Sequence, residues 1–205
     1  FGDITSWPWS ESDVSASGIV KELQSLEVSE INVHINSYGG EVAEGLAIYN
    51  TLKNSNMKVT TVCDGFACSA ASVIFMAGDE RVINEASLLM IHNAWTYTSG
   101  NAEELRKAAE DLDKITQASV NAYMSRVSIS EDKVRELMDN ESWITADEAV
   151  EYASFHTSLL VFHCNLRYLQ QRQRKMMMME LSNQLSESLE MLSPKQKLHR
   201  CNRQS

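Results

Sequence analysis

The chain lacks any apolar run near the ~20 residues that a membrane-spanning helix requires, and Phe1-Gly2-Asp3 carries neither a charged leader nor a signal-peptide core. A cytoplasmic protein with no membrane contact is therefore expected. Cysteine is sparse, and Cys63, Cys68, Cys164 and Cys201 show no paired metal-ligand spacing. Neither a zinc site nor a cofactor is implied. Positive charge is scarce over most of the chain. Residues 161–205 carry eight Lys/Arg and three Asp/Glu, so the preceding 160 residues hold ten of the 18 basic and 25 of the 28 acidic side chains. An acidic body argues against nucleic acid as a partner. The basic tail reads as a solvated, partly disordered segment, with an acidic partner as the alternative.

With 205 residues and 43% hydrophobic content, the chain can bury a full core, and one catalytic domain is the natural count. Strand-like and helix-like runs alternate: a strand near Phe1, a helix over 16–26, a strand over 31–35, a helix over 41–52, and strands over 58–63, 81–84 and 88–91. A buried helix over 70–77, closed by Gly78, falls between the first two of those last strands. This alternation indicates an α/β sheet with crossover connections. Asn101 with Glu104 caps a long helix reaching Ser125, with Leu105, Ala108, Leu112 and Ile115 at helical spacing. A short helix follows Ser130, residues 140–144 form a connector, and Thr145 with Glu148 makes a second capping box.

Three segments carry chemistry. The β-branched strand Lys58 to Cys63 leads through Asp64-Gly65 to Ser69, placed at a helix N-terminus where unpaired N–H groups favour an oxyanion. An N-cap is the plainer reading of that serine. Leu88-Leu89-Met90-Ile91-His92 delivers His92 at the carboxyl end of a second strand, which is where open α/β sheets place ligand crevices. A hydroxyl and an imidazole meeting there make a nucleophile and its general base, although a strand-end histidine is also a common structural residue. Gly39-Gly40 follows the strand ending at Ile35; it suits close substrate approach, or a simple turn. Cys68 is a second candidate nucleophile, but a cysteine between apolar neighbours is usually a packing residue.

Asn36-Ser37-Tyr38-Gly39-Gly40, Gly65-Phe66-Ala67-Cys68-Ser69-Ala70, Met90-Ile91-His92 and Trp143-Ile144-Thr145-Ala146-Asp147-Glu148-Ala149 occur in an order that resembles the Clp protease proteolytic-subunit family, from about Gly2 to Tyr152. The resemblance implies stacked βαβ units of the Clp protease/crotonase kind and a serine endopeptidase. It assigns Ser69 as nucleophile, His92 as base, and Gly39, Gly40 and the Ala70 N–H as the oxyanion hole. The triad acid falls on Glu141, where an aspartate is usual, with Asp139 as runner-up. The long helix resembles the projecting handle that interlocks two rings, although packing on its own domain is the simpler reading. The implied partners are protein substrates, other copies in a ring, and an ATP-dependent unfoldase, with ATP-independent cleavage also open. Glu141-Ser142-Trp143 looks closer to a bacteriophage branch of head-maturation proteases that cut capsid or scaffold protein. A non-catalytic, ring-forming capsid assembly factor and a crotonase-like acyl-CoA enzyme are the alternatives.

After Tyr152 the resemblance stops. The family continues with glycine, two apolar residues and an aspartate at a final strand, whereas Ala153-Ser154-Phe155-His156-Thr157 follows here, with Met176-Met177-Met178-Met179 beyond. The expected organisation is a protease domain over 1–152 and an atypical tail over 153–205. Two origins of the tail stay open, a shifted reading frame and native disorder. A frame shift would impair the last strand and the substrate groove beside it.

Overall fold

The computed structural model describes residues 1–153 and 158–162. In chain order the elements are α1 (Ala16–Ser25), β1 (Glu30–Ser37), α2 (Val42–Lys53), β2 (Lys58–Cys68), α3 (Ala70–Phe75) and β3 (Glu80–Asn84), then β4 (Leu88–Ile91), α4 (Ala102–Met124), α5 (Glu131–Asp139), β5 (Ser142–Thr145), α6 (Ala146–Tyr152) and β6 (Ser158–Phe162). The α/β class follows from the alternation of apolar strands with amphipathic helices.

The strand β2 organises the six-stranded sheet. Along one edge it pairs in parallel with β1, from Glu30↔Lys58 to Ser37↔Ala67. Its other edge serves two neighbours in succession: β3 pairs with Thr60–Cys63, and β4 pairs with Phe66–Cys68, both in parallel. The sheet is completed by β6, parallel to β3, and by β5, antiparallel to β4. Alternate residues of β2, Val59, Thr61 and Cys63, turn into the core and meet Phe75, Ile83 and Ile48 in one cluster. Each such large apolar side chain contributes roughly 1.5–3 kcal/mol by leaving water. Thr61 is buried at no polar cost, because its hydroxyl donates to the Phe75 carbonyl at 2.7 Å.

Three local expectations change. No strand forms at Phe1; instead Ile4 makes isolated bridges to Val14 and Gly40. Asp64-Gly65 does not end β2. The Asn36 side chain accepts the Phe66 N–H at 3.1 Å, and a Cβ on Gly65 would come within 2.7 Å of the Asn36 oxygen, so the pair marks a β-bulge filled from β1. The stretch expected as a connector holds β5, because Ser142–Thr145 can add to the free edge of β4. The sheet also reaches past Tyr152 to β6. Residues 154–157 and 163–205, on which the reading of the tail depends, lie outside the described residues.

The long helix α4 divides along its length. Residues 102–107, 109 and 110 are exposed, whereas Thr116, Ser119, Val120, Ala122 and Tyr123 are buried. Its first turns therefore project, held by a complete capping box between Asn101 and Glu104. Leu105 and Ile115 on the apolar stripe remain 43% and 40% exposed.

Gly40 adopts φ +148°, and a Cβ there would lie 2.0 Å from the Ile4 carbonyl oxygen. Gly40→Ala is expected to lower stability by about 2–3 kcal/mol in urea unfolding. Gly18→Ala, at an ordinary helical φ in α1 and 3.3 Å from the Ser15 hydroxyl oxygen, should instead change it by less than about 1 kcal/mol. Equal shifts for the two would contradict this assignment of strain.

Candidate active site

Ser69 ends β2 and precedes α3, with φ 52° and ψ −125°, a conformation that a side chain rarely adopts. Such a backbone costs on the order of 1–3 kcal/mol and persists only where its surroundings dictate it. Here they do so at both peptide groups. The Ser69 N–H donates to the Met90 carbonyl at 2.8 Å, tying the turn at Ser69 to β4. The Ser69 carbonyl accepts from the Ser72 N–H at 3.0 Å and from the Ser72 hydroxyl at 2.6 Å. Ser72 has spent its one proton on that bond, so the Tyr123 hydroxyl, 2.8 Å away, must donate to Ser72. Burial pushes the Tyr123 pKa upward, which keeps the phenol protonated for that role.

The Ser69 side chain makes no cap bond to α3. Its Oγ instead lies 2.7 Å from His92 Nε2. That distance places the imidazole within reach of the hydroxyl proton, the arrangement a nucleophile and its base require. The two groups meet because β2 and β4 pair in parallel up to Cys68↔Met90, so the residues that follow leave the sheet side by side. Cys68 points the other way and is fully buried. Burial pushes its thiol up to about 11, far from the thiolate a nucleophile needs at neutral pH.

Gly39 and Gly40 have φ +103° and +148°. A Cβ on Gly39 would fall 2.8 Å from Ser69 Cβ and 3.1 Å from the Ala70 nitrogen, so only glycine lets this turn close on the serine. The Gly39 N–H is engaged by Ser37 Oγ at 3.0 Å, and Ser37 in turn donates to the Gly2 carbonyl. Ala70 opens α3, where the first N–H has no intrahelical acceptor. Among the described residues, the amides of Gly40 and Ala70 meet no backbone acceptor. Ser69, His92, Gly39, Gly40 and Ala70 all line one cleft of about 620 Å³, bordered by the exposed rings of Tyr38 and Trp95. This volume suits a bound peptide segment.

The acid is placed differently. The antiparallel register ends at Ile91↔Ser142, so one further step would set Glu141 opposite His92. Glu141 breaks the ladder there with φ 47°. Among the described residues, no hydrogen bond joins its carboxylate to His92. Asp139 instead accepts from Asn93 Nδ2 at 2.7 Å. The sequence reading missed Ser37, Ser72, Tyr123 and Asn93 as supports of the site. Ser37 stood inside a quoted motif, but nothing local marks Tyr123, which lies 51 residues from Ser72.

With this geometry in place, comparison with known proteins is informative. The Clp protease family model matches residues 10–153. A Clp protease proteolytic subunit of Deinococcus radiodurans is 34% identical over 143 residues, covering 67% of this chain and 70% of its own. The corresponding subunit of Bacteroides fragilis is 34% identical over 133 residues, covering 64% of each chain. One from Porphyromonas gingivalis is 33% identical over 125 residues, covering 60% and 56%. The chain belongs to the Clp protease family. No helix among the described residues is long and apolar enough to cross a membrane.

Cys63 and Cys68 titrate near 12 and 11 because burial disfavours the thiolate. Both values lie above the unfolded value of 9.0, so their contribution to stability is intact below pH 9 and is lost as pH rises towards 11 and 12. Iodoacetamide should alkylate Cys68 in the folded protein about 100-fold more slowly at pH 8 than in urea. Equal rates would show a reactive thiolate beside Ser69.

Proposed function

We propose that this chain is a serine endopeptidase. Ser69 attacks the scissile carbonyl, and His92 Nε2 takes the proton and returns it to the leaving amine. The N–H groups of Gly40 and Ala70, with the Gly39 turn packed behind them, hold the developing oxyanion. The observation that carries this reading is the 2.7 Å contact between Ser69 Oγ and His92 Nε2 beside the glycine turn. Family membership supports it, since the relatives are described as proteolytic subunits.

For His92 to accept a proton at Nε2, its Nδ1 must carry the hydrogen and donate it to an acceptor. Glu141 is proposed for that role, because continuing the β4–β5 register by one step sets it opposite His92. Asp139 is committed to Asn93. Glu141→Gln should lower turnover of a casein or fluorogenic peptide substrate by about 10³–10⁴-fold, with KM changed little. Asp139→Asn should cost less than about tenfold. The reverse ranking would transfer the role to Asp139. Ser69→Ala should remove 10³-fold or more of the activity, and a variant as fast as the parent would eliminate Ser69 as nucleophile.

The proposed substrates are proteins, and the proposed assembly is a ring of copies of this chain that interlocks with a second ring through the exposed first turns of α4, with an ATP-dependent unfoldase as a further partner. Glu141-Ser142-Trp143 underlies the finer proposal of a phage head-maturation protease acting on capsid or scaffold protein. Specific cleavage of a co-expressed capsid or scaffold chain by the parent, and not by Ser69→Ala, is the outcome expected. Among the described residues no acceptor meets His92 Nδ1, which favours one second reading, a ring-forming assembly factor without turnover. Labelling of Ser69 by a fluorophosphonate supports the peptidase, whereas intact oligomers that stay unlabelled support the assembly factor.

A further inference from the structure

Tyr38 stands immediately before the glycine turn and lines the cleft that holds Ser69 and His92. Its ring is 70% exposed, although two other aromatic rings lie in a row behind it. It meets Phe66 of β2 edge to face, with ring centroids 5.6 Å apart and the planes at 71°. Phe66 meets Trp143 of β5 in the same manner, at 5.4 Å and 69°. The three rings form one strip, and a different backbone device places each of them. The positive φ of Gly39 turns the chain directly after Tyr38. The Asn36 side chain accepts the Phe66 N–H in the bulge of β2. The antiparallel register sets Trp143 opposite Met90.

An exposed apolar strip is a surface that gains free energy by being covered. Trp143 is 49% exposed, so the strip is open at its far end as well as at Tyr38. Its continuity with the cleft decides what covers it. Tyr38 lines that cleft, and so does Met90, the register partner of Trp143. A chain lying beside Ser69 and His92 therefore runs against these rings. Aromatic rings favour edge-to-face neighbours, and the open ring of Tyr38 extends the series by one more place. Rings set edge to face do not turn their faces towards a common point, as an aromatic cage for a cation does.

We infer that the strip is a subsite for one aromatic side chain of the substrate, which packs on Tyr38. Phe66 and Trp143 are positioning residues that hold the Tyr38 ring from behind. The inference rests on the peptidase reading for its occupant, a peptide segment in the Ser69 cleft.

The test measures binding apart from turnover. Full-length Ser69→Ala is titrated with fluorescein-labelled peptides in which a single Phe, Arg or Ala is scanned along one sequence. At the best position the Phe peptide should bind about tenfold more tightly than the Ala peptide, read by fluorescence anisotropy. In Tyr38→Ala on the same background the preference should fall below about threefold. Trp143→Ala should weaken it in part, and Trp143→Phe should restore it. Equal binding of Phe and Ala peptides at every position, tighter binding of an Arg peptide, or a preference retained in Tyr38→Ala would overturn the subsite. If Tyr38→Ala does not fold, a peptide carrying benzoylphenylalanine decides. Photo-crosslinks mapped to Tyr38, Met90 or Trp143 support the strip, and crosslinks confined to other residues refute it. The chain with Ser69 intact separates the two readings. A Phe preference in binding without any cleavage keeps the subsite and removes the peptidase, whereas cleavage of Phe and Ala peptides with equal kcat/KM and equal affinity does the reverse.

Discussion

The hydrogen bond from the Ser69 N–H to the Met90 carbonyl fixes where β2 ends relative to β4. It sets Ser69 beside the strand that delivers His92. Were Ser69 one residue further along, its side chain would leave the opposite face of the sheet, because strand side chains alternate. Parallel pairing with β4 can begin only because β3 releases the edge of β2 after Cys63. The bulge filled by Asn36 lets the same strand turn from one partner to the other without stopping.

Holding Ser69 at φ 52° requires compensation nearby, and the chain from Tyr123 through Ser72 to the Ser69 carbonyl supplies it. Each bond of this kind contributes about 1 kcal/mol net, so two or three of them match the cost of the strained backbone. The chain also joins the buried half of α4 to the turn at Ser69. Packing at one end of that helix therefore bears on the geometry of the hydroxyl, although neither Ser72 nor Tyr123 approaches His92 by a hydrogen bond.

What the sequence revealed were features with local causes. The caps at Asn101 and Thr145 depend on residues three apart, and both capping boxes form as read. Ser69 and His92 were legible because each follows a short apolar strand, and a parallel sheet brings such ends together. Asp64-Gly65 misled because a local turn preference was overridden by a side chain from another strand. The strand β5 was illegible for a related reason: four residues become a strand only when a free edge is offered to them. Glu141 lies between these cases, its neighbourhood set by register and its backbone by a turn that no pattern announced.

The contact between α2 and α3 has an implication for how this chain can vary. A methyl group on Gly45 would come within 2.8 Å of the Ala70 methyl, so the two helices touch with no side chain larger than alanine between them. Gly45 is therefore barred from growing, and the start of the helix that follows Ser69 is seated directly on its neighbour. Evolutionary change at Gly45, a position outside the cleft, would press on Ala70 and so reach the turn at Ser69 through packing alone.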